Sequence, residues 1–124
     1  MPDDPDVSHR STFEALLRPW QDGPVDEILD LITDDYAGHM LYLADGERTG
    51  DEYPAWIERY RANFPGTRFV IQDQFESGDR VCTRLKATRV DEGRTLSADG
   101  INISRYDGTR VAEEWAIWTA WRTT

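Results

Sequence analysis

From Thr67 to its C-terminus the chain is a series of long period-two segments separated by short Gly- and Asp-containing breaks, and nothing else in the sequence limits the fold as strongly. Strands are predicted over Arg68 to Glu76, Arg80 to Arg89, Leu96 to Tyr106 and Arg110 to Arg122. The breaks Ser77-Gly78-Asp79, Asp91-Glu92-Gly93 and Asp107-Gly108-Thr109 hold residues that accept the positive φ of tight hairpins. Successive hairpins make an antiparallel meander, and strands this long must twist and coil.

The first half has a helical period. Phe13, Leu16, Leu17 and Trp20 share one face of a helix predicted over Ser11 to Trp20, with Ser11 and Glu14 as a capping box and Pro19 and Gly23 limiting its end. A second helix is expected from Pro24, with Val25, Ile28, Leu29 and Ile32 as its apolar stripe. A short strand from Tyr36 to Leu43 and a polar turn from Ala44 to Gly50 follow. Asp51 is expected to cap a third helix that aligns Tyr53, Trp56, Ile57, Tyr60 and Phe64 and ends at Pro65-Gly66. Helices followed by strands indicate an α+β domain. Three N-terminal helices laid across a curved, mainly antiparallel sheet make a cone-shaped roll that encloses a pocket.

Length fits a single domain over residues 11–124, behind an acidic lead-in at 1–10 that reads as disordered and unlike a signal peptide. A formal net charge of −10 argues against nucleic acid and anionic membrane surfaces as partners. No run of 18 apolar residues is present to span a bilayer. Cys82 stands alone in a strand pattern, which suits a buried, inert thiol in a reducing, cytoplasmic setting. Five Trp, five Tyr and four Phe are enough to line a cavity as well as fill a core.

Several segments together carry a family resemblance. Asp35-Tyr36-Ala37-Gly38-His39, Phe64-Pro65-Gly66-Thr67-Arg68-Phe69, Gly78-Asp79-Arg80-Val81 with Arg84, and Gly100-Ile101 through Arg105-Tyr106 to Glu114-Trp115 occur in the order seen in SnoaL-like proteins. The chain resembles that family over roughly residues 11 to 121, and through it the nuclear transport factor 2-like fold. The resemblance implies a cone with a deep pocket, and relatives that include polyketide cyclases, ketosteroid isomerases, limonene-type epoxide hydrolases and non-catalytic binding or structural proteins. Fold therefore does not by itself fix function.

The same resemblance suggests site residues. Arg84 and Lys86 match inward-facing positions of the epoxide hydrolases, Lys86 standing where those enzymes keep an Asp. Asn102 matches the oxyanion-donor position of ketosteroid isomerases, with Ser104 two residues on. In cyclase-like relatives the last long strand commonly carries W-D-x-x-D, whereas here Trp115-Ala116-Ile117-Trp118-Thr119 puts Ala116 and Thr119 at the two Asp positions. Strand parity points Glu114, Ala116 and Trp118 inward. His39, near the pocket mouth in relatives, and Glu114 are the candidate proton carriers, with Arg84 and Asn102 stabilising developing negative charge. A hydrogen-bonded structural His in a strand, and a Glu114 ion-paired with Arg84 or Lys86, are the duller alternatives. Trp20, Tyr53, Trp56, Lys86, Ser104 and Trp118 are expected to contact the ligand.

No metal spacing, phosphate loop or nucleophile elbow is present, and no cofactor is expected. Three readings stay open: a cofactor-independent cyclase, isomerase, lyase or epoxide-hydrolase-like enzyme of secondary metabolite biosynthesis; a binding protein that has lost the family Asp residues; and a dimeric structural subunit. A homodimer is expected through the outer sheet face, with Trp115 and Trp121 sharing a parity there.

Overall fold

The computed structural model describes residues 9–124. Helix α1 spans His9–Gln21 and α2 spans Tyr53–Asn63, with a 3-10 stretch at Val25–Asp30 between them. The strands are β1 (Ile32–Met40), β2 (Glu47–Thr49), β3 (Arg68–Ser77), β4 (Arg80–Asp91), β5 (Arg94–Asp107), β6 (Arg110–Trp118) and β7 (Arg122–Thr123). They form one sheet in the order β2-β1-β6-β5-β4-β3, with β7 continuing beyond β6 along β5. All pairings are antiparallel except β1 with β6. The helices lie on one face of the sheet and complete the α+β roll.

The core forms where the helices meet that face. Phe13 and Leu16 of α1, Ile28 of the 3-10 stretch and Ile57 of α2 pack with Ile32, Val81, Leu85, Tyr106 and Val111 of the sheet. On β4 the inward set is Val81, Thr83, Leu85 and Ala87; opposite it on β5 lie Ser104, Asn102, Gly100 and Ala98. Gly78, Gly93 and Gly108 occupy the three hairpin turns with φ of 60°, 77° and 65°, as the turn chemistry requires.

Four local expectations are corrected. Helix α1 begins at His9, so Ser11 lies inside it rather than capping it. His9, read as part of the lead-in, stacks on Tyr106 at 4.4 Å, and its carbonyl accepts the Tyr106 phenol at 3.0 Å. The remainder of the lead-in, residues 1–8, lies outside the described residues. The second helix is only the six-residue 3-10 stretch, with Ile28 buried and Leu29 46% exposed. Ile32 already belongs to β1, in register with Val111 of β6, and that parallel pairing outcompetes further helix. Finally, Asp51 does not cap α2; Glu52 holds the N-cap position, and its carboxylate accepts the backbone N–H and hydroxyl of Thr49.

Candidate functional site

The inner face of the sheet and the helices border a half-open cavity of about 900 Å³. Leu16, Leu17 and Trp20 of α1 and Tyr53, Trp56 and Tyr60 of α2 form one wall. Leu85, Ala98, Asn102, Glu114, Ala116 and Trp118 of the sheet form the other, and Tyr42, Leu43, Phe64 and Trp121 also contribute. Its size suits a ligand of drug-like dimensions. Trp118 lies flat on Gly100, where a Cβ would come within 2.4 Å of the indole. Only glycine there lets this ring cover the sheet.

Glu114 is the polar centre. Parity on β6 turns it inward, where it is 2% exposed. Its Oε1 accepts the phenols of Tyr36 at 2.8 Å and Tyr53 at 3.2 Å. Its Oε2 accepts the Asn102 amide at 3.1 Å. Ser104 Oγ lies 2.7 Å from Asn102 Oδ1 and 3.4 Å from Glu114 Oε2; its one proton goes to the nearer amide oxygen and so fixes which way Asn102 points. Burial first, and the Glu114 charge second, hold the Tyr36 phenol well above its ordinary range, and the same causes raise Tyr53. Both phenols therefore stay protonated and donate.

Arg48 supplies the opposing charge. It sits on the three-residue β2 with its side chain 2% exposed. Its Nε and Nη2 donate to Tyr36 Oη at 3.3 and 3.1 Å, and Nη2 lies 3.9 Å from Glu114 Oε1. Burial by itself would lower the guanidinium's pKa, but the Glu114 charge and the hydrogen bond to Tyr36 oppose it, so the group is held as a cation. Gly38 makes this possible, because a Cβ there would stand 2.7 Å from Tyr36 Oη and 2.8 Å from Arg48 Nε.

The structure sorts the sequence candidates into two faces. Glu114, Asn102, Ser104, Trp20, Tyr53, Trp56 and Trp118 come together in or directly behind the cavity wall. Arg84 and Lys86 do not. Arg84 is exposed on the outer face, where it pairs in register with Ile101 and donates to Gln72 at 3.0 Å. Thr83 opposes Asn102, and residues directly opposed in an antiparallel pair share a face, so the even-numbered residues of β4 point away from the cavity. His39 is also on the outer face. It bridges Glu113 at 2.7 Å and Glu47, and stacks on Trp115 at 5.5 Å. Trp121 does not share a face with Trp115: the strand breaks after Trp118, and Trp121 turns to the cavity mouth beside Phe64 and Arg89. Ala116 lines the cavity, while Thr119 ties its backbone and hydroxyl to Asp99.

The sequence reading missed Arg48 and the role of Tyr36. Arg48 falls in a segment read as a polar turn, and its only local signal is the short alternation Glu47-Arg48-Thr49. Among the described residues no cluster of His, Cys, Asp and Glu is placed to hold a metal ion, and no helix is long and apolar enough to cross a membrane.

A curved sheet with helices across one face, bordering an aromatic cavity over a buried carboxylate, gives the chain a nuclear transport factor 2-like fold. The family model of the SnoaL-like domain matches residues 13–114, and the chain belongs to that family. Among solved structures it is similar to IdmH, a proposed polyketide cyclase from Streptomyces antibioticus, with a TM-score of 0.76 and 23% identity over 90% of this chain and 91% of that one. A proposed polyketide cyclase from Acidithiobacillus ferrooxidans gives 0.76 and 21% over 95% and 91%. An LEH-like epoxide hydrolase from M. tuberculosis gives 0.72 and 15% over 93% and 86%. A search of curated proteins returns no match.

Proposed function

We propose that the protein is a cofactor-independent enzyme of cyclase or isomerase type, acting by acid/base chemistry on a hydrophobic cyclic molecule of polyketide or terpenoid character, with Glu114 as the proton acceptor. One observation carries this reading: of the carboxylates lining the cavity, Asp45, Glu47 and Glu52 are exposed, and Glu114 alone is buried beneath the aromatic walls. A carbon acid held there, with the carbon next to its carbonyl over Oε2, loses its proton to Glu114. Asn102 gives one amide N–H to Glu114 and has a second for the developing enolate oxygen. His39 and Arg84, both on the outer face, take no part. The test is deuterium wash-in at the α-carbon of a cyclic aryl ketone such as 2-tetralone. Exchange by the wild type that is lost in Glu114→Gln supports the reading, and equal exchange in both sinks it. Tight binding of a co-purified ligand that is left unchanged across a pH series would instead favour a binding protein, the alternative suggested by Ala116 and Thr119 at the family Asp positions.

A homodimer through the outer sheet face accompanies either reading. Its support is the row of exposed apolar side chains there: Phe75 at 62%, Ile117 at 51%, Ile101 at 46% and Ile103 at 37%. Ile101 opposes Ile117 and Ile103 opposes Trp115, which makes the patch continuous.

A further inference from the structure

We propose that Arg48 is the specificity residue of the cavity, and that its Nη1 recognises a neutral carbonyl oxygen on a flat hydrocarbon ligand. The inference rests on the reading that the cavity holds a hydrophobic small molecule, but not on any turnover.

The guanidinium is caged by aromatic rings. Its carbon lies 3.9 Å from the Tyr53 ring centroid, 5.5 Å from Trp20 and 5.6 Å from Trp56. Nε and Nη2 are committed to Tyr36, and Nη2 faces Glu114, but Nη1 is buried with no hydrogen-bond partner among the described residues. Buried donors are nearly always paired, and an unpaired N–H on a cation is the most costly kind to leave so. A purely structural strut between Tyr36 and Glu114 uses only Nε and Nη2. Arg48 and three walls of its cage, Trp20, Tyr53 and Trp56, line the cavity, so the missing acceptor is one that an occupant brings.

Charge decides which acceptor. Glu114 already faces Arg48, and both are buried. A carboxylate on the ligand would add a second negative charge to a balanced buried pair. A ketone or quinone oxygen satisfies Nη1 and leaves the balance intact, while aromatic walls favour a planar carbon skeleton around it.

The experiment is ligand binding to the full chain by calorimetry and by quenching of the tryptophans, using 2-acetylnaphthalene, 2-isopropylnaphthalene and 2-naphthoate. The wild type is expected to bind the ketone about tenfold more tightly than the isosteric hydrocarbon, with the carboxylate weakest. In Arg48→Met the ketone's advantage disappears while the hydrocarbon binds as before. A ketone-to-hydrocarbon ratio independent of Arg48, or a preference for 2-naphthoate, overturns this proposal alone. No binding of any of the three by the wild type overturns it together with the small-molecule reading. If Arg48→Met does not fold, the infrared band of carbonyl-labelled 2-acetylnaphthalene bound to the wild type decides. A shift to lower frequency than in hydrocarbon solvent is expected, and an unshifted band rules the contact out.

Discussion

The phenol of Tyr36 donates to Glu114 Oε1 at 2.8 Å, joining residues 78 positions apart on the two parallel strands of the sheet. The Tyr36 phenol oxygen in turn accepts two N–H groups from Arg48, so one hydroxyl links the buried carboxylate to the buried cation. Tyr36→Phe removes that link at nearly constant volume. It should cost about 1–3 kcal/mol, because the Arg48 Nε and Nη2 donors are left buried and unpaired, while Glu114 Oε1 keeps the Tyr53 phenol. Denaturant midpoints measure this; an unchanged midpoint would show that the network carries no stability.

Glu114→Ala and Glu114→Gln should separate structure from chemistry. The alanine variant strands Arg48 as an uncompensated buried charge and is expected to lose about 3–5 kcal/mol. The glutamine variant also removes the counter-charge of Arg48 but keeps the volume and an amide oxygen for the phenols, so it should lose less stability than the alanine variant and stay folded, with α-proton exchange reduced by about 10²–10⁴. Thermal melts and exchange rates on the same samples give both answers.

Gly100→Ala tests how the cavity floor is covered. Its new methyl would stand 2.4 Å from the Trp118 indole, so the ring must lift. Overpacking of this kind costs about 1–3 kcal/mol. The displaced indole should also show red-shifted fluorescence relative to the wild type, and an unshifted spectrum with full stability would contradict the close approach.

The outer-face cluster sets a pH dependence. The hydrogen bond to Glu113 raises the pKa of His39 above its ordinary 6.5, working against partial burial and aided by Glu47. The partner effect, led by the hydrogen bond from His39 and assisted by Arg105, lowers Glu113 below 4.5. A raised histidine contributes stability fully below pH 6.5 and loses it as pH climbs through the raised value; a lowered carboxylate contributes above pH 4.5 and loses it as pH falls through the lowered one. The melting-temperature difference between wild type and His39→Gln should therefore be greatest between pH 4.5 and 6.5 and shrink on either side. Melting curves across that range check it, and a difference independent of pH would mean that the cluster is not an ion pair.

The proposed dimer gives a fifth expectation. Ile101→Glu places a charge on the apolar outer face opposite Ile117, on the side of the sheet away from the cavity. Sedimentation should show a dimer in the wild type and a monomer in this variant, with binding in the cavity retained. A monomeric wild type at high concentration would remove the assembly altogether.

Much of the architecture was legible from particular residues. The glycines of the three C-terminal turns fixed the hairpins, and the alternation through Asn102, Ser104 and Glu114 chose their common face correctly. The β4 assignment failed because a strand's parity defines two sets without saying which is buried. The apolar run Val81, Leu85 and Ala87 carried the right answer, against the family analogy that selected Arg84 and Lys86. His39 failed for the same reason, since Tyr36, Gly38 and Met40 take the inner positions of β1.

The sequence by itself determined the α+β order, the meander, the aromatic supply for a cavity and the inward placement of Glu114, because hydrophobic period and turn chemistry are local properties of the chain. Only the tertiary structure decided that Arg48 is the carboxylate's counter-charge. No local pattern can announce that pairing: it exists because β1 enters the sheet parallel to β6, carries β2 on its outer edge, and leaves at Gly38 the space through which a guanidinium reaches a carboxylate 66 positions further along the chain.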